Sequence, residues 1–238
     1  MNGWRKPPDS AELLAVLWQS ELFGGGDEAA LRKLAEQASP VDYPAGAFLM
    51  RQGEPAAHVY VITAGEVAII SPARGGAEQV HTIVGPGELI GELALLSDGK
   101  RTAGARATSP TRAWLLGREA FWAFLEVTPS ASAALLRLVA SRLRDREALI
   151  DDLLSLDVKG RLAKALLGLA ERHGHVAADG SRVIAVRLTH RDLAGMVGAS
   201  RENVTRALAS FRRRGLIAYD SSAIRLLDSD ALRKLVTG

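Results

Sequence analysis

Two short stretches of this chain carry side chains of the right kinds for chemistry. In the first, Gly91-Glu92-Leu93-Ala94 is followed shortly by Arg101-Thr102-Ala103. A guanidinium, a hydroxyl and unhindered backbone N–H groups suit an anion, and a carboxylate among them suits a hydroxyl donor. If no such ligand binds, Glu92 and Arg101 are expected to pair with each other. In the second stretch, Ser200-Arg201-Glu202-Asn203 runs into Val204, Thr205 and Arg206. Two arginine forks and a carboxylate close to the start of one helix match flat surfaces that present both hydrogen-bond acceptors and donors.

The elements around each stretch follow from period and punctuation. From Val41 to about Gly117 the chain reads as β. Apolar runs at Ala47–Met50, His58–Ile62, Val67–Ile70, Val80–Val84 and Ala113–Leu116 alternate with Gly, Pro or acidic turns, including Gly75-Gly76. Many short strands with regular turns indicate a sandwich or small barrel. Before them, Asp27 caps a short helix bearing Leu31 and Leu34. After them, Thr128-Pro129 announces a long helix, with threonine as cap and proline in the first position. Along it Leu136, Val139, Leu143, Arg146, Ile150 and Leu153 follow steps of three and four residues, a strip narrow and regular enough to favour pairing with a second copy over packing only on its own sandwich. Arg146 lies on that seam and calls for a counter-group. Asp157 caps the next helix, Val158 to Arg172, and a polar loop from His173 to Arg182 follows.

Residues Thr189 to Arg214 read as a helix-turn-helix. Leu193, Ala194 and Val197 face inward from the first helix, Gly198 supplies the left-handed turn, and Val204, Ala207, Leu208 and Phe211 form the inner face of the second. The charge agrees. Residues 158–238 carry 15 Lys/Arg against 7 Asp/Glu, a net +8, whereas the remainder is −5 and the whole chain +3. A basic terminal module on an acidic body fits a polyanion-binding unit joined to something else.

The run Val-Gly-Ala-Ser-Arg-Glu-Asn-Val-Thr-Arg, 197–206, together with Gly-Glu-Leu-Ala and Arg-Thr-Ala, resembles the Crp/Fnr family of bacterial regulators. The resemblance covers nearly the whole chain in the right order. It implies an α+β fold: an N-terminal β-jelly-roll cyclic nucleotide-binding domain over 1–128, a dimerisation helix over 129–156 and a C-terminal winged helix-turn-helix over 157–238, with Leu216–Leu227 as the wing. By this resemblance Glu92 takes a ribose 2′-hydroxyl, Arg101 pairs with a cyclic phosphate, Thr102 donates a hydroxyl, and Gly91, Leu93 and Ala103 contribute backbone N–H groups. At the base, the family's two hydroxyl residues are replaced by Arg146 and Glu147. Cyclic AMP is the favoured effector, cyclic GMP stays open because a carboxylate suits guanine's amines, and a pocket that binds no nucleotide is the alternative. On the DNA side, Arg201 and Arg206 would donate to guanine, Glu202 would accept from cytosine, and Thr189, Ser200 and Asn203 would touch phosphates. The implied partners are a second copy of the chain, double-stranded DNA with palindromic TGTGA-like half-sites, and RNA polymerase for an activator.

Composition excludes other classes. The 238 residues are 47% apolar and 24% charged, enough for a buried core, and contain no cysteine, which rules out disulfides, thiol redox chemistry and cysteine-held iron–sulfur clusters. No metal-ligand spacing links the five histidines, although His58 and His81 sit in strand-like runs. No P-loop, nucleophile elbow or paired carboxylates point to an enzyme. With no apolar run long enough for a membrane span and a basic start interrupted by Asp9 and Glu12, the expectation is a cytoplasmic protein. Trp4, Trp18, Trp114 and Trp122 read as packing residues.

Overall fold

The computed structural model describes residues 10–72, 78–97, 99–186, 188–220 and 223–237. The basic opening segment with Trp4, and the Gly75-Gly76 turn, lie outside the described residues. The chain divides into two compact units: residues to Ile69 with Ile83–Arg144, and Ile70–Thr82 with Asp145 onward.

The first unit begins with helices α1 (Ser10–Gln19) and α2 (Glu28–Glu36), the latter capped by Asp27, which accepts from the Ala30 N–H at 2.8 Å. Eight strands follow: β1 (Ser39–Tyr43), β2 (Phe48–Met50), β3 (His58–Ala64), β4 (Val67–Pro72), β5 (Glu78–Val84), β6 (Leu89–Ile90), β7 (Gly104–Ala107) and β8 (Thr111–Gly117). Helix α3 (Glu92–Leu96) stands between β6 and β7, and α4 (Arg118–Val127) and α5 (Pro129–Ser155) close the series; β4 after Ile69, β5 before Ile83 and α5 after Arg144 are counted with the second unit. The strands form two four-stranded sheets in the orders β1-β8-β3-β6 and β2-β7-β4-β5.

Period-two alternation explains how the sheets pack. In β3, Tyr60 and Ile62 join Leu49, Val67, Val84 and Ala105 from the other sheet in one core, while Val59 and Val61 join a second core. That second core, built with Leu13, Leu17, Leu31, Phe121, Phe124 and Leu135, lies under the helices. A central strand covered on both faces has no polar side to show, which is why His58–Ile62 reads as an unbroken apolar run.

Three sequence expectations need adjustment. Strand β1 starts at Ser39 and includes Pro40, tolerated because β1 is a sheet edge. Strands β6 and β7, two residues long and Gly-Ala-Arg-Ala respectively, have too little apolar signal to be read locally. At the start of α5 the cap is the Thr128 carbonyl, which accepts from Ala131 at 3.0 Å and Ser132 at 3.2 Å; the hydroxyl is buried without a partner.

In the second unit, α6 (Val158–His173) starts at Asp157, whose carboxylate accepts from the Gly160 N–H at 2.8 Å. The expected polar loop is instead a hairpin, β9 (Gly174–Val176) and β10 (Arg182–Ile184), joined through a turn at Asp179 that bonds the Ser181 N–H at 3.0 Å. Then come α7 (His190–Val197), α8 (Arg201–Arg213), β11 (Ile217–Tyr219), β12 (Ile224–Leu226) and a final helix α9 (Ser229–Thr237) packed on α6. The four strands form one sheet, β11-β12-β10-β9. The β11–β12 pair is the hairpin expected as the wing. Among the described residues no single helix is long and apolar enough to cross a membrane.

Candidate functional site

At the end of β6, Gly91 has φ +86°, a left-handed conformation that opens α3 directly onto Glu92. A side chain at Gly91 would also meet the Arg101 guanidinium, which would have to move aside. Glu92 is 0% exposed and Arg101 4%. Arg101 donates to the carbonyls of Gly91 at 3.1 Å and His58 at 2.8 Å, and its guanidinium lies 5.3 Å from the Tyr60 ring centre. Burial pulls the Arg101 pKa down, with Tyr60 and Glu54 opposing it. Tyr60 donates its one hydroxyl hydrogen to the Leu49 carbonyl at 2.6 Å, which makes the His58 Nε2, 2.9 Å away, the donor in their bond. Burial, then Arg101, lowers the His58 pKa; burial raises that of Tyr60 and carries that of Tyr43 up to about 12.

The carboxylate of Glu92 does not pair with Arg101. Its Oε1 accepts from Arg142 of α5, which also donates to the Leu89 carbonyl at 2.7 Å. Its Oε2 is buried without a partner. Arg142 escapes sequence reasoning because α5 also bears Arg137, Arg144 and Arg146, and spacing alone does not say which one meets a buried acid. Around the pair, Ala103 is buried, Leu93 half-buried and Thr102 exposed. Gly91, Glu92, Leu93, Arg101, Thr102 and Ala103 are thus gathered at one end of the sandwich by α3 and the turn before β7.

Arg146 and Glu147 are exposed on the later part of α5. Arg146 acts on His81: burial first, then this arginine, lowers the imidazole pKa, and His81 Nε2 lies 2.8 Å from the Ser71 hydroxyl. The counter-group expected for Arg146 is not found among the described residues of the protomer. Along the rest of the seam Leu136, Leu143, Ile150 and Leu153 are between 45% and 72% exposed and Val139 is half-buried. Among the described residues no cluster of histidines and carboxylates could hold a metal.

In the second unit, Thr189 caps α7 in a reciprocal box. Its hydroxyl accepts from the Asp192 N–H at 3.1 Å, and the Asp192 carboxylate accepts in return from the Thr189 N–H at 2.9 Å and from its hydroxyl at 2.7 Å. Gly198 ends α7 at φ +60°, and a Cβ there would stand 2.9 Å from Leu153. Arg161 of α6 ties this turn down by donating to Val197 O at 2.7 Å and Leu156 O at 2.6 Å. Ser200 caps α8, accepting from the Asn203 N–H at 3.2 Å.

Val204, Ala207, Leu208 and Phe211 bury the inner face of α8, as their spacing requires. Arg201, Glu202, Thr205 and Arg206 are exposed on the outer face, with Asn203 half-buried beside them. The Glu202 carboxyl is held below its ordinary range by its own backbone N–H and the Ser200 hydroxyl, then by Arg201 and Arg206. Arg206 donates to Asn203 Oδ1, and His190 Nδ1 lies 2.9 Å from the Thr205 hydroxyl. Five polar groups therefore stand on one exposed face of a well-anchored helix.

Residues 40–128 match the cyclic nucleotide-binding domain family, and residues 160–235 match the Crp-like helix-turn-helix domain. The chain is 37% identical over 219 residues to the CRP-like cAMP-activated global transcriptional regulator of Mycobacterium tuberculosis, covering 92% of this chain and 97% of that one. It is 31% identical over 196 residues to the cyclic AMP receptor protein of Thermus thermophilus, covering 82% and 87%. A solved transcriptional regulator of the CRP/FNR family, also from Thermus thermophilus, superposes with a TM-score of 0.68 at 28% identity, over 84% of this chain and 99% of that one. A jelly-roll sandwich bearing a buried carboxylate and guanidinium, a long helix and a helix-turn-helix with exposed arginines, matched over most of the chain by these relatives, make the chain a member of the Crp/Fnr family of transcription regulators.

Proposed function

We propose that the chain is a homodimeric regulator whose cassette binds cyclic AMP and whose α8 reads a palindrome of TGTGA-like half-sites. The observation that carries the effector reading is the Glu92 carboxylate, wholly buried with Oε2 unpartnered. A buried acceptor without a donor is costly unless something supplies one, and the ribose 2′-hydroxyl of a cyclic nucleotide is such a donor. Arg101 is the cation for its phosphate, with Thr102 and the N–H groups of Gly91, Leu93 and Ala103 around it. Cyclic AMP is favoured over cyclic GMP because two relatives at 37% and 31% identity are named for cyclic AMP.

On the DNA side, Arg201 and Arg206 donate to guanine and Glu202 accepts from cytosine, each contact discriminating by about 1–3 kcal/mol. Thr189 and Ser200 stand beside phosphates. The bare seam of α5 supports a parallel pair of helices between two copies, which sets two α8 helices to successive major grooves about 34 Å apart. An activator of this kind would touch RNA polymerase. Effector can shift the DNA-competent population only by its difference in affinity between two states; a change from 1:99 to 99:1 requires about 5.5 kcal/mol.

The test is a titration of each nucleotide into the purified protein with a labelled palindromic duplex, followed by anisotropy. Cyclic AMP should tighten binding, Arg101→Leu should remove that response, and Arg201→Ala should narrow the gap between palindrome and random duplex. A preference for cyclic GMP that Glu147→Ala erases would replace the effector. If neither nucleotide alters DNA binding or melting temperature, the pocket is idle and the protein binds DNA without a nucleotide.

A further inference from the structure

We propose that Asn203 is a positioning residue for base recognition: it holds the Arg206 guanidinium in one orientation, and its task is not a phosphate contact. The inference rests on the reading above, in which Arg206 meets a guanine. Asn203 and Arg206 are one helical turn apart, so their side chains are neighbours on the α8 surface, and Arg206 Nη2 donates to Asn203 Oδ1. An arginine has no acceptor, so the amide must turn its oxygen to it. The backbone N–H of Asn203 is bound to Ser200 Oγ at 3.2 Å, and the residue is half-buried where Arg206 is exposed. The tether is therefore anchored at its fixed end and attached to a mobile one.

The chemistry leaves Arg206 competent to read. The bond consumes one of two hydrogens on Nη2, and the other, with those on Nη1, remains for a fork onto guanine O6 and N7. An untethered arginine on a helix surface loses many rotamers on meeting a base, and one already held loses fewer. The same arrangement recurs along this face, where Ser200 engages Glu202 and His190 lies against Thr205. Asn203 is neutral, so it displaces no counterion and should leave the salt dependence of binding alone.

The experiment uses the full chain with cyclic AMP present. Affinities for the TGTGA palindrome and a random duplex are measured across salt concentrations for wild type, Asn203→Ala, Arg206→Ala and the double variant. Alanine is favoured in helices, so these variants should fold, as circular dichroism can verify. Arg206→Ala should lower the palindrome-to-random ratio about 5- to 150-fold. Asn203→Ala should lower it about 3- to 10-fold with random-duplex affinity and salt slope unchanged, because what is lost is pre-ordering of one side chain. In the double variant the asparagine should have no further effect. The proposal is overturned if Asn203→Ala weakens both duplexes equally, if it changes nothing, or if its effect adds in full to that of Arg206→Ala. If Arg206→Ala leaves the ratio intact, the base-reading assignment itself falls and the tether has nothing to position.

Discussion

Glu92 reaches no solvent, and a carboxylate so placed depends on whatever charge stands beside it. One oxygen has Arg142, which is less than a third exposed and is itself fixed by the Leu89 carbonyl. Removing the arginine would leave the acid buried and uncompensated, whereas lysine would keep the charge and lose the second contact. Arg142→Ala should therefore destabilise the protein by about 3 kcal/mol in urea unfolding, with Arg142→Lys between it and wild type. An Arg142→Ala protein that unfolds at the wild-type midpoint would show that Glu92 is compensated by another route. Arg142 also joins α5 to the cassette within the first unit, so the group that neutralises Glu92 belongs to the helix with the exposed seam.

That seam sets the behaviour of α5 as an element. Ala131, Ala134 and Leu135 at its start are buried in the core under the helices, whereas Leu136, Leu143 and Ile150 point away from the protomer. Half of the amphipathic pattern is used internally, and the regular three-and-four spacing of the exposed half is that of a helix pair. A carboxylate in the middle of such a seam opposes its own copy across the axis. Leu143→Glu should give a monomer in sedimentation velocity at concentrations where wild type is expected to sediment as a dimer, with helix content unchanged. A wild-type sedimentation coefficient in that variant would place the dimer contact elsewhere. The contrast with α8 is instructive: Val204, Ala207, Leu208 and Phe211 are buried inside its unit, and its outer face is charged and polar.

Across the whole molecule, acid sensitivity is written into two histidines. His58 in β3 and His81 in β5 both have depressed pKa values, by burial first and by Arg101 and Arg146 second. In the unfolded chain each takes up a proton near 6.5, and in the fold only at lower pH. Between those values the unfolded state holds more protons, so stability rises with pH through that window and is lost on acidification. The melting temperature should be flat just above neutrality and fall as pH drops below about 6.5, with a His58→Gln/His81→Gln protein showing a shallower decline. An identical pH profile in the double variant would assign the acid sensitivity to carboxylates.

What sequence determined here is what depends on near neighbours. The caps at Asp27 and Asp157, the left-handed Gly198 and the inner face of α8 are all set within a few residues by hydrogen-bond geometry and helical period, and all are where the residues said. The strands with β-branched runs were legible for the same reason. Tertiary structure alone decided the rest. It paired Glu92 with Arg142, fifty positions away, in place of Arg101. It made strands of Leu89–Ile90 and Gly104–Ala107, turned the polar stretch after α6 into a hairpin, and added α9 against α6. A short or weakly apolar segment takes its conformation from the partner that offers hydrogen bonds, and a buried charge takes its partner from whichever element is packed over it; neither is encoded in local spacing.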